Sequence, residues 1–323
     1  MTDFFNVQFL LVAALVSAVI FVNGWTDAPC SVASCIGSGA MSARDAINMA
    51  AVFNFLGTLI VFSVNDSVSK NIQKSVDLGT SHPLTALCAS MITIVIFAVG
   101  AWYFGIPTSE SHALLCALAG AAAATGDGRA NYKFWVFIVL STLILTGAGF
   151  LLGFFLDRIL KRFMLLKNER ILKVSQVISA ALLSFIHGAQ DGQKFAYVLL
   201  LSIYLVGGET RKSVAAVIYS AVLLSLGTAV GGMRIIKKIG TEITDIDGRG
   251  GVCCDVSSFV CLLVCTLLGV PVSTTHTKTS AILGVGVSRK NANFRSYGSI
   301  AAAWLLTFPV CFIISFVITK ICI

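Results

Sequence analysis

Apolar residues run through this chain in long unbroken stretches, and polar residues gather in the short gaps between them. Phe134 to Leu156 is 23 residues without a charge, and Ser213 to Met233 carries none either. At 1.5 Å per residue, each is long enough to cross a hydrocarbon core of roughly 30 Å. One such run is compatible with a buried helix of a soluble domain; six or more are not. The first stretch, about Phe5 to Val22, has no basic segment before it, and no small-x-small site precedes a soluble domain. It is expected to be the first spanning helix, not a cleaved signal. The expected fold class is therefore an all-α polytopic membrane protein, multi-pass in the cell membrane with the lipid bilayer around it.

The pattern repeats. Asn23-Gly24-Trp25-Thr26-Asp27 aligns with His187-Gly188-Ala189-Gln190-Asp191, and Gly105-Ile106-Pro107-Thr108-Ser109-Glu110-Ser111-His112 with Gly269-Val270-Pro271-Val272-Ser273-Thr274-Thr275-His276. Gly24 to Gly188, Gly105 to Gly269 and Gly120 to Gly284 are all separated by 164 residues, and Lys70 and Lys74 fall on Arg234 and Lys238 at the same offset. Two motifs and a basic pair in one register mark a duplication. The expected organisation is a first transmembrane repeat over 1–156, a basic linker over 157–173 and a second repeat over 174–323.

Composition agrees: 57% of residues are hydrophobic and 12% charged, where a soluble domain has about 25% charged. The net charge of +8 does not point to nucleic acid, because the basic residues sit in short loops, as topology signals do. The linker holds six basic residues against two acidic ones, which predicts that it is cytoplasmic. If each Gly-Pro-Ser segment crosses the membrane, each half has five crossings, the halves are inverted, and 14 basic residues lie inside against 7 outside. If the segment dips in and returns, the halves are parallel and the split is 13 to 8. Charge alone does not decide. The inverted arrangement is expected, with broken helices or helical hairpins at the midplane, because inverted-repeat transporters place broken helices there. The ten cysteines form no C-x-x-C pair and mostly lie in apolar runs; they read as packing residues.

Asp27 and Asp191 stand at matching positions in apolar surroundings, where an ionisable group costs several kcal/mol, from about 2.5 for Asp upward. Capping or ion pairing would account for one such residue; two, each near a glycine, point to function. A glycine allows the backbone to unwind and frees carbonyls beside the carboxylate for Na⁺. Lys194 is either the ion-pair partner of Asp191 or an anion contact. In the second motif, Gly105 and Pro107 break one helix and Ser109 or Ser111 starts another. The copy uses Gly269, Pro271, Ser273, Thr274 and Thr275. Helix starts expose N–H groups and about half a positive charge each, so two facing starts would surround a tetrahedral oxyanion. Ser109–His112 and Ser273–His276 share a helix face at i and i+3. A serine hydrolase is the enzyme alternative, but a duplicated dyad suits a pseudo-symmetric carrier better than a reaction centre. Glu110 and Lys278 occur in one half only.

These residues resemble the inorganic phosphate transporter (PiT) family along nearly the whole chain. Its duplicated G-A-N-D signature corresponds to Gly24-Trp25-Thr26-Asp27 and, more closely, to Gly188-Ala189-Gln190-Asp191. Its P-V-S-T-T-H segment stands intact at Pro271–His276 and modified at Pro107–His112. The resemblance implies a homodimeric symporter of inverted repeats in which Na⁺ or H⁺ drives phosphate uptake, with no other cofactor. Carried over by position, Ser109, Ser111, Ser273, Thr274, Thr275, Asp27, Asp191, Gln190 and Lys194 would bind phosphate. Asp27, Asp191, Thr26, Glu110 and Asn54 would couple the cation, with Asp27 and Asp191 holding Na⁺. The sequence departs from the pattern at Thr26 and Gln190, which replace asparagines, at Asn54, where many members carry a glutamate, and at Glu110, an acid in place of a hydroxyl. Carriage of another oxyanion such as sulfate is the alternative. The retained acids favour phosphate, which at neutral pH still has a proton to donate.

Overall fold

The computed structural model describes residues 7–162, 168–206 and 213–323. The linker's Lys167 and the loop residues Arg211 and Lys212 lie outside them, as does the start of the first apolar stretch at Phe5. Helix α1 (Val7–Thr26) ends at the first motif and continues as a 3₁₀ turn (Ala28–Val32) and a short α2 (Ala33–Gly37). The first half is completed by α3 (Ala43–Val64), α4 (Ser67–Gln73), β1 (Val76–Asp77), α5 (Pro83–Tyr103), α6 (Glu110–Thr125), β2 (Arg129–Ala130) and α7 (Tyr132–Leu160). The second comprises α8 (Glu169–Leu205), α9 (Val214–Val230), α10 (Met233–Thr241), α11 (Gly248–Leu268), α12 (Thr274–Arg289) and α13 (Phe294–Cys322). Shifting α6 by the 164-residue offset lands on α12 at both ends. Among the described residues, seven stretches are long and apolar enough to span a membrane, and the α9–α10 pair, bent by 70°, makes an eighth.

Local chemistry explains the breaks. Gly105 (φ +66°) and Gly269 (φ +71°) sit in the left-handed region just beyond α5 and α11, a conformation that glycine adopts without Cβ strain. Four residues on, Ser109 Oγ and Ser273 Oγ accept the backbone N–H groups of His112 and His276, both at 3.3 Å, and so cap α6 and α12. The second acidic motif behaves differently from the expectation of unwinding. The break occurs only after Asp27, where Pro29 follows; α8 passes unbroken through His187–Lys194. No proline follows Asp191, and Gly188 and Gly192 are spent on packing instead. A Cβ on Gly188 would lie 2.2 Å from the Asn54 carbonyl oxygen, and one on Gly192 2.3 Å from the Thr58 methyl.

The halves interlock. α1 packs on α9 and α3 on α8, while α6 lies along α13 and α12 along α7. Glycines at the repeat offset make close approaches: a Cβ on Gly120 would lie 2.2 Å from the Phe312 oxygen, and one on Gly284 2.1 Å from that of Phe150. Small residues let backbones meet where lipid provides no hydrophobic drive.

The orientation of the halves follows from α7, whose 29 residues extend about 43 Å and put its ends on opposite faces. At its start, β2 pairs with β1, Val76 with Ala130 and Asp77 with Arg129. Beside them, Asp127 accepts the N–H groups of Thr80 (2.8 Å) and Ser81 (3.0 Å). At its other end Asp157 meets Arg289 at 2.6 Å, and Arg289 also reaches Asp247 at 2.6 Å. Thr125 and Arg289 are equivalent at the repeat offset, yet they lie at opposite ends of α7. The halves are therefore inverted, and each crosses five times. In the fourth crossing an extended Gly-Pro segment goes part of the way and α6 or α12, at 16 residues or about 24 Å, completes it. We call the side with the end of α7 and the start of α8 the linker face, and the other the terminal face. Helix α7 runs to Leu160 and α8 opens at Glu169, so both continue into the basic stretch.

Candidate functional site

The starts of α6 and α12 meet inside the bundle. Ser111 Oγ, on the first turn of α6, donates to the carbonyl of Val272 just before α12 at 3.1 Å. The rings of His112 and His276 lie 5.0 Å apart. At each tip the cap serine satisfies one N–H, and Ala113 and Thr277 bond back to the Ser109 and Ser273 carbonyls. Among the described residues the N–H groups of Glu110, Ser111, Thr274 and Thr275 have no acceptor. Four donors and the two positive helix ends converge on one buried place, the arrangement that binds an oxyanion.

Both aspartates reach it, by different routes. Asp27, at the break after α1, accepts the Thr275 hydroxyl at Oδ1 and the Thr274 hydroxyl at Oδ2, the latter at 3.3 Å. It thus touches the α12 tip directly. Asp191 meets the α6 tip through Lys194, whose ammonium donates to Asp191 Oδ1 (2.7 Å), Ser111 Oγ (2.5 Å) and the Val272 carbonyl (2.7 Å). These three acceptors use all three protons of the ammonium. Lys194 is therefore the ion-pair partner of Asp191 here and has no N–H left for an anion. Glu110 is bonded by the Thr26 hydroxyl at Oε1, and its Oε2 has no partner. Asp27, His187 and Asp191 each bring a ligand atom within 4.8 Å of the others. Three buried carboxylates thus surround a single ammonium. With all of them ionised the site carries an excess of negative charge that a cation has to balance.

Other expected residues stand apart. Asn54 Nδ2 donates to Thr228 Oγ1 at 3.3 Å in the α3–α9 packing, and no hydrogen bond among the described residues joins it to either aspartate. Gln190 Nε2 reaches only the Val270 carbonyl at 3.3 Å, and its Oε1 is unpartnered. Among the described residues no serine–histidine dyad forms. Ser109 and Ser273 bond the backbone of His112 and His276, while His112 Nε2 pairs with Thr142 Oγ1 at 2.9 Å and His276 stacks on Trp304 at 3.9 Å.

The model of the Phosphate transporter family matches twice, over residues 23–173 and 166–315. The chain belongs to the phosphate transporter family. It is 31% identical over 320 residues to a probable low-affinity inorganic phosphate transporter of Bacillus subtilis (strain 168), covering 95% of each chain. To the protein of the same description from Rhizobium meliloti (strain 1021) it is 32% identical over 324 residues, covering 96% of each. A solved structure titled "The sodium-dependent phosphate transporter" superposes with a TM-score of 0.82 at 20% identity, over 98% of this chain and 99% of that one. A transporter, and not an enzyme, is what these relatives describe.

Within this transporter, several residues that the sequence reading left out complete the site. His187 and Asn23 precede the aspartates by four residues in the two halves, and both are buried. The i, i+4 spacing puts His187 Nε2 3.6 Å from Asp191 Oδ2. Gln193 fixes α4 to α8 by accepting from the Val68 N–H at 3.2 Å. A second buried charged cluster lies nearer the linker face: Lys278 pairs with Asp255, and both meet Ser34. Asp255 sits in an apolar run whose only charge it is, which was the available signal.

Proposed function

We propose that the chain carries inorganic phosphate by symport with Na⁺. The observation that carries this reading is the meeting of two helix starts from opposite halves with Asp27 and Asp191 between them. The four free N–H groups suit phosphate oxygens, and the carboxylates suit a phosphate hydroxyl, which sulfate lacks. Ser109 and Ser273 act in this reading as caps that hold the N–H groups in place. Thr274, Thr275 and Ser111 stand at the anion. The oxygens of Asp27 and Asp191 are hard ligands of the kind a Na⁺ ion takes, and the sodium dependence named for the structural neighbour supports the same ion.

Proton coupling is the second reading, and Glu110 favours it. Thr26 has one hydroxyl proton but faces two oxygens, the Val22 carbonyl at 2.8 Å and Glu110 Oε1. Both contacts are satisfied when Glu110 itself carries a proton. We also propose a homodimer, as the family resemblance implies. The outward face of α7, with Leu140, Leu143 and Ile144 exposed, is apolar surface for lipid or a second copy.

The test is labelled phosphate uptake into proteoliposomes with Na⁺ and pH gradients imposed separately and excess sulfate as competitor. Uptake driven by Na⁺ and resistant to sulfate is expected. Uptake driven only by the pH gradient moves the coupling to Glu110, and suppression by sulfate moves the substrate to another oxyanion.

A further inference from the structure

The inverted repeat gives every position a counterpart across the midplane, so the paths from the site to the two faces can be compared residue by residue. Toward the linker face the path carries charged and polar side chains. A small cavity lined by Ser31, His187, Thr274 and Lys278 together with the apolar Cys30, Leu183 and Leu262 adjoins the central site, and Thr274 is the residue whose hydroxyl reaches Asp27. Beyond it the Lys278 ammonium binds Asp255 and donates to Ser34 Oγ at 2.7 Å. Ser34 Oγ donates to Asp255 Oδ1 at 2.5 Å, and Ser179 Oγ donates to the other carboxylate oxygen at 3.3 Å. Gln176 Nε2 donates to the Ser34 carbonyl at 3.0 Å, and its Oε1 accepts the Ser38 hydroxyl at 2.8 Å. Gln176 lies two turns from the start of α8, beside the start of α11, so the chain of bonds runs from Lys278 to the linker face.

At the repeat offset the counterparts of Gln176, Ser179, Asp255, Lys278 and Ser34 are Val12, Leu15, Met91, Leu114 and Val198. Those five pack together in one apolar cluster between the site and the terminal face. Duplication supplied one framework, and the two ends have been filled with opposite chemistry. A buried ion pair is no better for stability than well-packed apolar residues, and the protein holds just such apolar residues at the equivalent place. Stability alone therefore gives no reason for Lys278 and Asp255.

We propose that the two gates of this carrier work differently, with an apolar plug closing the terminal side and the Lys278–Asp255 pair closing the linker side. On this reading Lys278 is the anion's next partner after the site. As the gate opens, the ammonium exchanges the Asp255 carboxylate for the passing phosphate, and Ser34 and Gln176 hydrate the path. The proposal rests on phosphate being the substrate.

The test replaces the pair by its own counterparts, Lys278→Leu with Asp255→Met, which leaves no stranded charge, and compares it with Lys278→Arg, which keeps the charge. Phosphate binding to the purified protein and gradient-free phosphate exchange across proteoliposomes are measured on both. In parallel, peptide mass spectrometry follows modification of the native, buried Cys30 by a membrane-impermeant thiol reagent applied from the linker side. In the double variant, exchange and Cys30 modification should each fall about tenfold or more, as expected for a barrier raised by one lost ionic contact. Phosphate binding should stay within about twofold, a change too small to explain the loss of exchange. Lys278→Arg should retain most of the exchange. Wild-type exchange in the double variant overturns the gate, because the pair is then only a tie between helices. An equal fall in binding and exchange also overturns it, because Lys278 then belongs to the central site. If the wild-type protein exchanges no phosphate, the transport reading fails separately, and the Cys30 rates alone decide whether the pair is a gate.

Discussion

Removing Lys194 tests the centre of the site most directly, because its ammonium holds three elements together: Asp191 of α8, Ser111 at the α6 tip and the Val272 carbonyl before α12. In Lys194→Met the methylene stem is replaced at similar volume, so packing changes little. The Val272 carbonyl keeps the Ser111 hydroxyl at 3.1 Å and is not orphaned. What remains is a buried carboxylate without its cation, and breaking a buried pair from one side costs about 3–5 kcal/mol. Asp191→Asn strands the ammonium instead and should cost a similar amount. The ion pair thus gives Asp191 a structural share as well as a functional one. The double variant Lys194→Met with Asp191→Asn strands neither charge. It should recover all but about 1–2 kcal/mol, the value of the hydrogen bonds lost. Equilibrium unfolding of the four proteins in one detergent measures the coupling, and phosphate uptake measured alongside should be absent from all three variants. If the single losses are each below about 1 kcal/mol and simply add, as they do for groups that do not interact, the ion pair is not what holds the tips and the reasoning is wrong.

Other outcomes follow from single contacts. Thr275→Val removes a hydroxyl donated to the Asp27 carboxylate; a hydrogen bond to a charged group is worth about 1.5–3 kcal/mol. The half-saturating concentration of phosphate or of its coupling ion should therefore rise about tenfold or more in uptake assays. Gly284→Ala would put a Cβ 2.1 Å from the Phe150 oxygen and force α12 from α7, costing about 1–3 kcal/mol. Gly298→Ala, with nothing within 4 Å, should be neutral or stabilising, and melting temperatures of the two variants compare them. At the terminal face, the Thr80 and Ser81 N–H groups hold the Asp127 carboxyl well below the usual carboxylate range. A depressed folded-state value means that its stabilisation is complete above the unfolded value, about 3.9, and is lost as pH falls through the folded one. Asp127→Asn should accordingly lower the melting temperature near neutral pH, with the gap to wild type shrinking only at strongly acidic pH.

How much of this was legible in the sequence depends on the kind of signal each feature leaves. The duplication and the helix breaks left strong ones, since a positive-φ glycine, a proline and a capping serine act locally and recur at a fixed offset. The inverted orientation was an expectation from analogy. Its geometric basis is the position of Arg289 and Thr125, equivalent residues at opposite ends of α7. The unwinding expected at Asp191 was misread because glycine serves two purposes. Gly188 looks like a hinge in sequence but lies against the Asn54 backbone, and no local pattern separates the two uses. Asn54 owes its expected role to family position, and its partner Thr228 lies 174 residues away, beyond any reading of spacing. Lys278 was visible as a break in symmetry without a meaning. Its meaning comes from Asp255, and from the five apolar residues that occupy the mirrored path. Two copies of one framework must close on either side of the same site, and here one copy closes it with an ion pair and the other with an apolar core. The differences between the halves thus carry the directional part of the function, while the repeated motifs, being repeated, carry only what both directions share.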